Sequence, residues 1–147
     1  MFRFLIEEID NSEKSAERIA YLEQKYGIVF PDILKQLYAR TDCNGIKLCE
    51  IKIEERSYVV ASLVTLEDGD IDFEYAADDA RDEPMCNFVP SDWYPLAYDN
   101  GGNYYYWSDK THQVYFLDSE NVDEPVRISD SIKSFIELLN ASIVEEE

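Results

Sequence analysis

The sequence offers few side chains that do covalent or metal chemistry. His112 is the single histidine in 147 residues. With no second imidazole and no third group to hold it, it completes neither a metal pair nor a Ser/His/Asp or Cys/His arrangement, and its place beside Lys110 in an expected turn makes it a surface residue. Cys43, Cys49 and Cys86 are odd in number and lack CxxC spacing, which argues against a disulfide framework or structural zinc and for buried free thiols. Asp68-x-Asp70-x-Asp72 opens like a calcium loop, in which alternating carboxylates converge as oxygen ligands. The sixth position of such a loop must be Gly and the twelfth a bidentate Glu, and here they are Phe73 and Asp79, so no metal is expected. Gly101-Gly102 lacks the Lys and the helix start of a phosphate loop. Carboxylates are so numerous that some pair can always be offered as acid and base; a hydrolase would need a concave site with paired acids of perturbed pKa. These residues remove most enzyme templates, and no metal and no cofactor are expected.

What the residues do offer is charge. Asp and Glu total 32 against 13 Lys and Arg, a formal −19. Such a chain repels phosphate, so nucleic acid and anionic membrane surfaces are excluded as partners, whereas a basic protein would be steered towards it. High net charge that only serves solubility is the alternative. Hydrophobic residues at 46% and charged residues at 31% describe an ordinary globular chain, and its length suits a single domain over residues 1–147. No apolar run approaches the roughly 18 residues of a membrane span. Met1 to Ile6, followed by Glu7-Glu8, lacks the layout of a signal peptide, so a cytoplasmic address is expected.

The elements that must position these groups are helices at both ends around strands, an α+β fold. Ala16, Ile19, Leu22 and Tyr26 share one face of a helix over 12–26, with Ser12 or Asn11 as cap and Gly27 as its left-handed end. Pro31 marks a second helix start, with Ile33, Leu34, Leu37 and Tyr38 continuing the stripe up to a turn at Asn44-Gly45. Strands follow over 46–53 and 58–66. Between Glu67 and Asp92, ten carboxylates face one base, Arg81, and because burying unpaired carboxylates is costly the segment reads as a solvated surface excursion.

After it the chain turns aromatic. Strands over 96–98, 104–107 and 113–117, separated by turn residues, make an antiparallel meander whose rings are mainly core, with some of Tyr104, Tyr105, Tyr106 and Trp107 free to face solvent or a partner. Ser129 or Asp130 caps a last helix with Ile132, Phe135, Ile136 and Leu139 on one face.

Taken together these signposts resemble the SUKH superfamily, best known for bacterial immunity proteins and a fungal cell-wall assembly regulator. The likeness covers most of the chain. It runs through Ile19, Leu22-Glu23, Tyr26-Gly27, Phe30-Pro31-Asp32, Leu37-Tyr38 and Asn44-Gly45, then 94–105 (YPLAYDNGGNYY), Val114 to Asp118, and Ser131-Ile132 with Phe135 and Leu139. Phe30 stands where the family usually has Leu, and Asn103 where it commonly has Asp. The resemblance implies one mainly antiparallel twisted sheet with helices packed beside it, no catalysis, and the binding of a cognate toxin domain, often a nuclease. The expected partner-binding residues are Asp68, Asp70, Asp72 and Glu74, with Trp93, Asp99 and Tyr105 as anchors. The protein would be a monomer or homodimer. The alternative is a noncatalytic intracellular regulatory or scaffold protein of the same fold.

Overall fold

A computed structural model of the chain describes residues 2–41, 45–67, 71–82 and 84–144. The first helix, α1 (Ser12–Tyr26), buries Ile19 and Leu22 and ends at Gly27 with φ +68°, the left-handed conformation Gly adopts without strain. Asn11 occupies its N-cap position, but its side chain does not cap. Its Nδ2 donates to the carbonyls of Tyr38 and Thr41, at 3.2 and 2.9 Å, and so fastens α1 to the end of α2 (Asp32–Tyr38). Pro31 precedes α2 at its N-cap, and the N–H of Phe30 donates to Glu23 Oε2 at 2.7 Å, fixing the corner between the helices. Of the expected turn at 44–45, Asn44 lies outside the described residues and Gly45 has φ +81°.

The strands divide into two antiparallel sheets rather than the one the resemblance implied. β1 (Cys49–Ile53) and β2 (Arg56–Val60) form a hairpin, and β3 (Ser62–Leu63), β4 (Trp93–Tyr98), β5 (Tyr104–Ser108), β6 (Val114–Leu117) and β7 (Val126–Ser129) form a five-stranded sheet in that order. The single strand expected over 58–66 is broken at Ala61, whose N–H donates to the Tyr98 carbonyl, so β2 and β3 belong to different sheets. The outer edge of β1 is taken by the chain end: Glu50 N–H donates to Ser142 O, and Val144 N–H to Leu48 O. β7 was not expected from the sequence; four residues with one exposed Arg give too short a pattern. Ser131, not Ser129 or Asp130, caps α4 (Ile132–Ala141) by accepting from Ser134 N–H at 3.0 Å.

Both central strands are buried on both sides. Tyr94, Leu96, Tyr105 and Trp107 enter the larger core with residues from α1, α2 and α4, whereas Trp93 and Tyr106 enter a second, smaller core with Ala80, Val89 and Leu117. A strand with two apolar faces has no polar alternation, which is why WYPLAY and YYYWS show none.

The acidic segment 67–92 is not a solvated excursion. It contains α3 (Phe73–Arg81) and a 3-10 turn (Met85–Asn87). Phe73, Ala76, Ala77 and Ala80 recur at helical spacing and are buried. Phe73 packs against Phe30, Tyr26 and Tyr94 in the larger core, while Ala80, Met85 and Val89 help to cover the second face of the sheet. The free thiols differ as well: Cys49 is buried, which pushes its pKa up to about 11, Cys86 is exposed, and Cys43 lies outside the described residues.

Candidate functional site

α3 is where the charge is organised. Asp72 starts it, its Oδ1 accepting from Tyr75 N–H at 2.7 Å. Glu74 follows in the first turn, where a negative charge suits the helix dipole. One stripe of α1, Arg18, Tyr21 and Lys25, closes on it. Glu74 accepts from Arg18 Nη2 at 3.3 Å, Tyr21 Oη at 2.6 Å and Lys25 Nζ at 2.8 Å. The Lys25 and Tyr21 hydrogen bonds hold its carboxyl down at about 2, and the same bond raises the pKa of Lys25. Asp78, one turn on, accepts from Tyr26 Oη at 2.7 Å and from Lys25 at 3.3 Å. Burial, then the Asp78 bond, pushes the Tyr26 phenol up. Arg18 also donates through Nε to Leu66 O at 3.0 Å, and its guanidinium lies 4.5 Å from the Tyr21 ring centre.

Arg81, the one base of α3, turns inward. Its guanidinium sits 4.4 Å from the Tyr94 ring centre and donates to the carbonyls of Ala77, Ser91 and Trp93. β3 pairs with β4 only at Ala97 and Tyr98, so among the described residues the first half of β4 has no strand partner on that side, and Arg81 takes one of its carbonyls. The outer side of α3 carries no base. Tyr75 is 62% exposed, and Asp79 and Asp82 are exposed with no ion pair among the described residues.

The residues expected to bind a partner do not converge on one face. Asp68 and Asp70 lie outside the described residues. Asp72 and Glu74 sit together at the start of α3, engaged as above. Asp99 organises the β4–β5 turn: its Oδ1 accepts from the N–H groups of Gly101 and Asn103, both at 2.9 Å, and its Oδ2 from Asn103 Nδ2 at 3.0 Å. An Asp at 103 could not make that last donation, so Asn is the residue this turn uses. Trp93 is buried in the smaller core and stacked on Tyr115 at 4.3 Å. Tyr105, on the opposite side of the sheet, is fully buried and donates to Val59 O at 2.7 Å. What the sequence reading missed is the α1 stripe and the Tyr75–Asp79 side of α3. The signal was the Phe73, Ala76, Ala77, Ala80 spacing, which fixes which carboxylates point outward.

One corner brings Ser108, Asp92 and His112 near in the chain's turns, but Ser108 is buried and its hydroxyl donates to Asp92 Oδ2 at 2.6 Å while accepting from the N–H groups of Lys110 and Thr111. It is a turn organiser. A cleft of about 180 Å³ between α1 and α2 is lined in part by Glu23 and Lys35, which face each other at 3.8 Å, Glu23 also being held by Phe30.

The same elements carry the comparison with known families. Residues 14–138 match the model of the SMI1 / KNR4 family (SUKH-1). The chain belongs to this family. The SUKH-1 match runs from α1 into α4 and includes α3 with its carboxylates. No curated protein matches the chain. Among the described residues, no helix is long and apolar enough to cross a membrane, and no cluster of three His, Cys, Asp or Glu side chains is placed to hold a metal.

Proposed function

We propose that this SUKH-1 protein is a noncatalytic immunity protein that acts in the cytoplasm, binding a cognate toxin domain, a basic nuclease, and neutralising it one to one through its acidic surface. The observation that carries this reading is the outer side of α3, where Asp79 and Asp82 have no counter-ion among the described residues in a chain of net charge −19. A nuclease is basic where it grips nucleic acid, so an acidic protein competes for that surface, and rim charges of this kind act mainly on the encounter rate. Asp72 adds its charge at the start of α3, and Asp68 and Asp70, close to it in sequence, belong to the same acidic run, whereas Glu74 is engaged with Arg18 and Lys25. Trp93, Asp99 and Tyr105 contribute indirectly, by holding the sheet and its turn in shape.

The test is co-purification of the tagged protein with whatever toxin domain is encoded beside it, followed by growth rescue in cells expressing that domain. A complex that weakens with salt, together with rescue, is expected, because charges more than about 8–10 Å apart are screened at physiological ionic strength. No complex and no rescue would overturn the reading in favour of a regulatory scaffold. The double reversal Asp79→Lys/Asp82→Lys should slow association; an unchanged rate would remove the acidic side of α3 from the interface.

A further inference from the structure

Two arginines of this chain show how its tyrosines are used. Arg18 lies over the Tyr21 ring at 4.5 Å while its Nη2 donates to Glu74, so one guanidinium is held by a ring and a carboxylate together. Arg81 lies over Tyr94 at 4.4 Å and donates to backbone carbonyls. A planar guanidinium can stack and donate at the same time, which an ammonium does less well. The outer side of α3 has the same two receptors without the arginine. Tyr75 and Asp79 are four residues apart on the helix, hence neighbours on one side, and both are exposed. Asp82 continues that side at the helix end, and the only base of α3 is turned away from it. The Tyr104 phenol borders this side: its pKa is raised by burial first, then by Asp79, Tyr75 and Tyr98.

We infer that Tyr75, Asp79 and Asp82 form the docking face for an arginine of a basic protein segment, its guanidinium stacked on the Tyr75 ring and paired with Asp79. This deepens the immunity reading and rests on it: the toxin would be gripped through an arginine, not through diffuse charge alone.

The probes are nona-arginine and nona-lysine peptides, titrated into the full-length protein by calorimetry at fixed salt, with amide chemical shifts mapping the contact. Tyr75→Leu keeps a large helix-forming residue and should weaken nona-arginine about two- to fivefold while changing nona-lysine less, the range expected for an exposed cation–π contact. Asp79→Asn/Asp82→Asn should weaken nona-arginine more than the charge-matched control Glu13→Gln/Glu17→Gln on the exposed side of α1. An unchanged nona-arginine affinity in Tyr75→Leu, or equal losses in the two charge-matched pairs, would overturn the inference. The neighbouring toxin separates this proposal from the broader one. Full growth rescue by Tyr75→Leu/Asp79→Asn would overturn this face and leave the immunity reading intact. Absence of rescue by the unaltered protein, with the peptide still mapped to α3, would overturn the immunity reading and leave the face.

Discussion

Glu74 and Asp79 sit on the same nine-residue helix and come from the same acidic run, yet one side of α3 is built and the other is left open. Towards α1, Glu74 and Asp78 meet Arg18, Tyr21, Lys25 and Tyr26, and every one of those contacts fastens helix to helix. Away from α1, Asp79 and Asp82 meet solvent. Residue type does not separate the two sets; the direction of each side chain does. The count of carboxylates in the acidic run therefore overstates what it offers a partner, since Glu74 and Asp78 are already paired with bases of α1 within the fold.

The asymmetry of α3 rests first on its apolar stripe. If α3 is anchored by its apolar stripe, Phe73→Ala should destabilise the protein by about 3–5 kcal/mol, the usual range for removing a fully buried aromatic ring. Urea unfolding measures it, and a change within about 0.5 kcal/mol would mean that the segment is only a surface excursion after all. Arg81→Ala comes next. It strips the carbonyls of Trp93, Ser91 and Ala77 of a charged donor and should cost about 1.5–3 kcal/mol. Faster hydrogen exchange at the start of β4 would locate the loss there.

The two sides of α3 can then be set against each other. Glu74→Gln should cost about 1 kcal/mol or less, as expected of a partly exposed ion-pair network. The cost depends on pH with a definite sign. Because folding lowers the Glu74 pKa from its ordinary 4.5 to about 2, the stabilisation is complete above pH 4.5 and fades as pH falls towards 2. Stability curves of the two proteins should converge over that window, and a constant gap would show that Glu74 does not supply it. The smallest effect is expected at Asp79→Asn, within about 0.5 kcal/mol of the parent and towards stabilisation, since it relieves repulsion and breaks no bond. A loss as large as that at Glu74 would mean that the outer side is structural too.

Much of this architecture was legible in the chain. The spacing of Ile19, Leu22 and Tyr26 with Gly27 marked α1 to its last residue, and the Ile132, Phe135, Ile136, Leu139 stripe marked α4, because a single amphipathic face repeats with the helix period. The β4–β5 hairpin was legible from its turn, where Asp99 and two glycines leave the backbone few alternatives. In α3 the period was equally present at Phe73, Ala76, Ala77 and Ala80, but small side chains carry little hydrophobic signal and ten carboxylates outweighed them. Sequence alone thus determined the types of most elements, the excess of negative charge and the family likeness, since these depend on local spacing and composition. Only the tertiary structure decided which carboxylates are neutralised, that Trp93 and Tyr105 belong to cores on opposite faces of the sheet, and that Tyr75 and Asp79 stand open. The first of these depends on Arg18 and Lys25 reaching α3 across about fifty residues of chain, and no local pattern encodes a pairing at that distance.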